Sequence, residues 1–295
     1  MVSGSLEMMN LLFIDWQPDP EAFKLGQISV RWYSMLWVVG LLLAVVIVKN
    51  LYRKQHISGE KFDPLFVYCF LGVLLGARLG HCLFYEPGYF LTSAKGLIEM
   101  IIPIRFLPGC WEWKYTGYTG LASHGGAIGL FIGILLYARK YRIALLQVLD
   151  NIAIATPLTA CCIRLGNLMN SEIVGTRTDV AWGFVFRANG ESFARHPAQL
   201  YEALVYLLIF IVIILIYKYK GEKTIPAGSG FYFGFCLTTI FIYRFFIEFL
   251  KEEQESFEEG MTLDMGQLLS IPFVLIGLYF MCRKQHKKIT NNKNK

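Results

Sequence analysis

Arg164 follows a stretch, residues 152–163, that carries no acid or base, so a guanidinium stands where a hydrophobic run ends. A charge inside hydrocarbon costs roughly 2.5 to 17 kcal/mol depending on its setting, and such a charge usually meets an internal partner or a charged ligand. Asn167 lies three residues further on and shares the same helical face. Asn170, Glu172 and Gly175 continue the polar path into a glycine-containing turn. Guanidinium, amide and carboxylate on one face at a membrane boundary suit an anionic headgroup.

Other residues of chemical interest are spread along the chain. His124, in Ser123-His124-Gly125-Gly126, is the side-chain type best suited to exchange a proton near neutral pH. A lone histidine at a helix mouth is otherwise structural. In His196-Pro197-Ala198-Gln199-Leu200-Tyr201-Glu202, Pro197 suits a first helical position, and Gln199 and Glu202 then face the same way. Arg244 and Glu248 are four apart and can pair on one helical face, either as a structural pair or as part of a site. Arg78 either snorkels to headgroups or faces a polar cavity. Tyr33, after Arg31-Trp32, lies where an interface anchor is ordinary. Several arginines with one base favour a phosphate-bearing substrate, because guanidinium pairs with phosphate through two hydrogen bonds. No Ser/His/Asp spacing, metal cluster or phosphate-cradling loop is present, so neither a metal nor a cofactor is expected. Of the seven cysteines only Cys110 lies outside the apolar runs, which argues against a disulfide framework.

These groups need a bilayer-spanning scaffold to hold them. Hydrophobic residues make up 55% of the chain and charged ones 17%, which excludes an ordinary soluble domain. Apolar runs near the ~20 residues that span a bilayer fall at 33–52, 64–85, 120–138, 144–163, 199–217, 229–249 and 265–282. The expected fold is an all-α polytopic membrane protein of about seven transmembrane helices. Gly72, Gly76 and Gly80 form a small-residue stripe that allows close helix approach. Lys and Arg at 49–61, 139–142, 218–223 and 283–295 outnumber those on the opposite side, which places the N-terminus outside and the C-terminus in the cytoplasm. The net charge of +6 is thus a topology signal, and no clustered basic face points to nucleic acid. Residues 1–28 read as an irregular or amphipathic outer segment, with no cleavable signal peptide. Residues 29–282 read as the membrane domain, with an outer arm at 86–119 and an outer, β-rich head at about 166–197. Residues 283–295 read as a basic cytoplasmic tail.

The run from Cys162 to Gly175 resembles the signature Gly-Arg-x-Gly-Asn-Phe-x-Asn-x-Glu-x-x-Gly of the prolipoprotein diacylglyceryl transferases. Arg164, Gly166, Asn167, Asn170, Glu172 and Gly175 fall on it in register, while Ile163 and Leu168 replace Gly and Phe. Further family elements are matched by Tyr33, Gly76-Ala77-Arg78-Leu79-Gly80, His124-Gly125-Gly126, the seven residues from His196 to Glu202, and Arg244-Phe245 with Glu248-Phe249. Met265-Gly266-Gln267 with Ser270 and Pro272 matches another, in which Gln267 and Ser270 read as packing groups. Ile240 stands where the family often has Tyr. The resemblance covers about residues 30–275.

It implies a multi-pass enzyme of the bacterial cytoplasmic (inner) membrane with its active site towards the outer leaflet. Its substrates would be phosphatidylglycerol and prolipoprotein signal peptides bearing a lipobox cysteine, and its surroundings membrane lipids. A monomer is expected. The diacylglyceryl group would pass to the thiol, a thioether would form, and glycerol phosphate would leave. Arg164 and Arg244 would hold the phosphate, and His124 would take the thiol proton. Tyr33, Arg78, Asn167, Asn170, Glu172, Gly175, Gln199, Tyr201, Glu202 and Glu248 would bind substrate or support the pocket. The rival reading is a transporter or channel with an intramembrane anion site. It lacks the internal broken-helix repeat such proteins carry. A scaffold role leaves the arginines beside His and Asn unexplained.

Overall fold

Uninterrupted Leu, Ile, Val and Phe leave the backbone one way to satisfy its polar groups in hydrocarbon, the α-helix. The computed structural model describes residues 13–26, 28–107, 111–117, 120–221, 224–252 and 263–283. The tail beyond Arg283, the loop residues Pro108, Gly109 and Cys110, Lys223 and the first twelve residues of the expected outer segment lie outside the described residues. The main helices are α1 (Trp32–Lys54), α2 (Gly59–Phe84), α5 (Ser123–Tyr141), α6 (Leu145–Met169), α7 (Ala198–Lys220), α8 (Phe231–Ile247) and α9 (Met265–Cys282). Between α2 and α5 lie the short helices α3 (Pro87–Phe90) and α4 (Ala94–Ile101).

Six of these helices are long and apolar enough to cross a membrane: α1, α2, α6, α7, α8 with the turn that follows it, and α9. Their large side chains are turned outward. Leu42, Val46, Leu208 and Leu275 are each more than half exposed, as lipid-facing residues are and soluble-core residues are not. The expected third span, α5, falls outside the six. It opens on Ser123-His124-Gly125-Gly126 and closes on Arg139-Lys140-Tyr141, which shortens its apolar stretch.

The all-α expectation also needs amending, because three two-stranded sheets occur among the described residues. β1 (Ile14–Trp16) pairs in parallel with β6 (Phe184–Phe186), β2 (Glu21–Leu25) with β3 (Ile28–Arg31), and β4 (Ile104–Phe106) with β5 (Trp113–Tyr115). Among the described residues, those before α1 therefore form a strand and a hairpin rather than an irregular stretch. Gly26 supplies the positive φ (63°) that its turn needs. All three sheets lie outside the apolar helices, where short strands can pair.

The chain forms two compact units. One comprises Lys49–Leu149. Here α2 and α5 run antiparallel with almost nothing between them, because each presents glycines to the other. A Cβ on Gly129 would overlap the Gly72 carbonyl oxygen and stand 2.8 Å from the Gly76 Cα. Gly125 meets Gly76 and Gly80 in the same way, so the α2 stripe expected from sequence has a matching stripe at 125, 129 and 133. Gly129→Ala is expected to destabilise this pairing by about 1–3 kcal/mol, since the backbones would have to part. Lower thermal stability in detergent would register it, and an unchanged melting curve would show that the helices are not so close.

The other unit comprises Met1–Val48 and Asp150–Lys295. At its α6 end Asp150, fully buried, accepts hydrogen bonds from the backbone of Gly228 (2.8 Å), Gly230 (2.9 Å) and Phe233 (2.8 Å) and so fixes the start of α8. Towards the other end Leu168 packs with Phe184 and Phe186 in a small apolar cluster that Trp16 joins, filling the place where the family signature has Phe. Ile240, another departure, packs against the cluster of Cys161, Ala203, Tyr206 and Ile209.

Candidate active site

α6 continues well past residue 163, where the sequence suggested its end, and carries Arg164 and Asn167 on adjacent turns. Arg164 Nη1 donates to Asn167 Oδ1 at 3.3 Å. Asn167 Nδ2 donates in turn to Glu172 Oε2 and Asn170 Nδ2 to Glu172 Oε1, both at 3.1 Å. To bring Glu172 back onto the helix end, the chain turns through Ser171 (φ 55°) and Ile173 (φ 57°). A left-handed, β-branched isoleucine is an unusual, strained conformation, of the kind held where geometry at a site requires it. Gln199, wholly buried on the first turn of α7, donates to the Glu172 carbonyl and holds that turn.

On its other side Arg164 Nε lies 3.1 Å from Glu202 Oε2, an ion pair whose angle falls short of a hydrogen bond. Glu202 is fully buried on α7. Its other oxygen receives Tyr206 Oη at 3.1 Å and Lys251 Nζ at 3.4 Å. Lys251, itself buried, also reaches Glu248 Oε1 at 3.2 Å, and Arg244 Nη2 stands 3.6 Å from that same oxygen. Two arginines from different helices are thus joined by an alternating chain of charge: Arg164, Glu202, Lys251, Glu248, Arg244. Carboxylates withdrawn from water, as Glu202 wholly and Glu248 partly are, persist only when cations and hydrogen bonds replace the lost water, and here each has both kinds of neighbour or two cations. Arg244 is the more open end. Its side chain is 37% exposed against 14% for Arg164, and among the described residues its ion pair is the long one to Glu248. Several of its donors therefore face outward, as an anion-binding guanidinium requires.

Neighbouring residues fix this chain in place. Tyr33, at the start of α1, packs onto α6 at Gly166, where a Cβ would come within 2.9 Å of its ring. Gly266 at the head of α9 leaves room for Glu248, whose Oε1 would be 2.6 Å from a Cβ there. Gly175 lies under the backbone of His196 and Leu250, and a Cβ would stand 2.6 and 2.7 Å from their carbonyl oxygens. Arg195 closes over it, donating to the Gly175 carbonyl (3.2 Å) and pairing with Glu191 (2.7 Å) and Glu252 (3.0 Å). Its hydrogen bond to Glu191, reinforced by Glu252, holds the guanidinium above its ordinary pKa against the opposing effect of burial. Tyr201 stands apart from the charged chain: it accepts from Trp182 Nε1 at 2.8 Å and lies 3.2 Å from His196 Nδ1.

Of the expected residues, Tyr33, Arg164, Asn167, Asn170, Glu172, Gly175, Gln199, Tyr201, Glu202, Arg244 and Glu248 belong to one unit, and Arg78 and His124 to the other. Arg78 is buried, so it does not snorkel. It donates to the Glu99 carbonyl at 2.8 Å and lies 5.0 Å from the Phe90 ring, tying α2 to the arm. His124 is exposed on the first turn of α5, with no hydrogen bond or ion pair among the described residues. Sequence reasoning missed Lys251, Tyr206 and Arg195. In the sequence Lys251 is one of the fewer basic residues on the side opposite the Lys- and Arg-rich segments. Its spacing of three from Glu248 was the available signal.

The family model for prolipoprotein diacylglyceryl transferase matches residues 20–283. A phosphatidylglycerol–prolipoprotein diacylglyceryl transferase of Bacteroides fragilis is 56% identical over 271 residues, covering 92% of this chain and 95% of its own. Enzymes of the same name from Tolumonas auensis and Porphyromonas gingivalis are each 40% identical, over 274 and 292 residues. They cover 92% and 94% of this chain, and 98% and 97% of their own. Agreement over that length, across the helices that carry the Arg164 to Arg244 chain, means that this protein belongs to the prolipoprotein diacylglyceryl transferase family.

Proposed function

We propose that the protein transfers the diacylglyceryl group of phosphatidylglycerol to the thiol of a prolipoprotein lipobox cysteine. The observation that carries this reading is the pair of guanidiniums joined through Glu202, Lys251 and Glu248, with Arg244 open to an incoming anion. In the reaction the sulfur attacks the glyceryl carbon that bears the phosphate. A C–S bond forms, the C–O bond to phosphate breaks, and glycerol phosphate leaves with the electron pair. Arg164 and Arg244 hold the phosphate and stabilise its growing charge, an effect strongest where water is excluded. Asn167, Asn170, Glu172, Gly175 and Gln199 shape the headgroup pocket, Tyr33 packs beside it, and Glu202 and Glu248 orient the arginines. Tyr201 supports the head through Trp182 and His196, and Arg78 supports the arm.

His124 takes the thiol proton. Transfer by His124→Asn is then expected to lag the parent most at neutral pH, and the deficit should shrink above about pH 8.5, where a cysteine ionises unaided. A constant deficit across the pH range would remove His124 from that role.

The protein works as a monomer in the bacterial inner membrane, N-terminus outside, with its site towards the outer leaflet. α5 crosses with the six long helices, a reading supported by its glycines at 125, 129 and 133 lying against α2. The direct test gives purified protein phosphatidylglycerol and a lipobox peptide and weighs the peptide, with a Cys→Ser peptide as control. A gain of one diacylglyceryl that requires both lipid and thiol supports transfer. Anion flux across liposomes without covalent product would point to a transporter instead.

A further inference from the structure

The arm between α2 and α5 carries a half-open pocket of about 570 Å³ lined by Tyr89, Lys95, Glu99, Arg105, Phe106 and Lys114, among others. That volume falls within the ~300–1,000 Å³ usual for small-molecule sites. Its lining holds three cations and one carboxylate. Arg105 and Lys114 are directly opposed partners in the β4–β5 register, and like charges so placed weaken a sheet. Lys95 adds a third cation, lying 4.9 Å from the Trp111 ring and 5.7 Å from that of Phe106.

The one carboxylate in the lining, Glu99, is buried and already committed. Its Oε2 receives Tyr89 Oη and its Oε1 the Phe106 backbone N–H, both at 2.7 Å. Arg105 uses Nε on Tyr89 Oη at 3.3 Å, which leaves its two terminal nitrogens without a hydrogen bond among the described residues. A hairpin that sets two cations opposite one another, beside a third and around a space, is stabilised by an anion in that space. A guanidinium with two free nitrogens and the ammonium group of Lys114 opposite it match the several oxygens of a phosphate.

The geometry points to a binding site in the arm for a phosphate-bearing ligand of phosphoglycerol size, held by Arg105 and Lys114. It goes beyond the transfer reaction and does not rest on it, since it uses none of the residues assigned to transfer.

The test uses the full-length protein, delipidated in neutral detergent, with short-chain phosphatidylglycerol counted by native mass spectrometry. Arg105→Gln/Lys114→Gln is expected to bind one lipid fewer, or to bind one of its lipids at least about tenfold more weakly. Arg105→Lys/Lys114→Arg, which keeps the charges, should retain most of that binding and controls for folding. Displacement of that lipid by glycerol phosphate would identify the headgroup phosphate as sufficient. Failure of glycerol phosphate to displace it would make the intact lipid the ligand. Equal occupancy in parent and Gln variant would overturn the site. An equal loss of diacylglycerol, which has no phosphate, would overturn it too.

Discussion

Replacing Arg164 with alanine is expected to lower diacylglyceryl transfer at least about a hundredfold, the scale of removing one donor aimed at charge that develops in a transition state. The protein should still insert and purify. Glu202 would keep Lys251 at 3.4 Å and Tyr206 at 3.1 Å, so its buried carboxylate would not be stranded. Asn167 would keep Glu172. Arg164→Lys retains a cation near Glu202 but loses the planar fork that reaches Asn167 as well, and only a small part of the rate should return. Arg244→Ala should fail similarly with little loss of stability, because Glu248 remains paired with Lys251. Turnover with phosphatidylglycerol and lipobox peptide, followed alongside thermal unfolding, separates the two effects. Normal turnover in Arg164→Ala would end its assignment to the phosphate.

Lys251 should behave in the opposite way, with stability lost first. Its ammonium is buried between Glu202 and Glu248, and Lys251→Met would leave two carboxylates close together with one cation fewer. Breaking a buried pair from one side destabilises by about 3–5 kcal/mol. The expected readout is a clearly lower melting temperature in detergent, restored in large part by Lys251→Arg. Combining Lys251→Met with Glu202→Gln should recover part of the loss, because the residues share one interaction and their effects cannot add. If Lys251→Met melts like the parent, Glu202 is not held as described.

Residues near one another in sequence were the legible part of this site. The three-residue step from Arg164 to Asn167 and the four-residue step from Arg244 to Glu248 place side chains by helical geometry alone. The apolar helices were legible for the same reason, although α5 lies at the limit because its ends are polar. Closure of the chain of charge was not legible. Glu202 meets Lys251 across 49 residues, and no periodicity records such a meeting. The pairing of Ile14–Trp16 with Phe184–Phe186 is more remote still and involves three-residue strands, too short for an alternating pattern. For Arg78 the sequence left snorkelling and a polar cavity both open, and what decides it is remote: the arm supplies a carbonyl and an aromatic ring that bury it.

The room that Gly266 leaves for Glu248 has a consequence for the order in which the enzyme is made. A chain emerging from the ribosome inserts its helices one after another, N-terminal first. α6, α7 and α8 therefore reach the bilayer before α9 exists. Until then Glu248 lacks the wall against which it packs, and Gln267 is not yet there to take the Phe245 carbonyl. A nascent chain can carry both arginines and still leave the Glu248 end of the charged chain unpacked, so that end takes its final setting only when the last helix arrives.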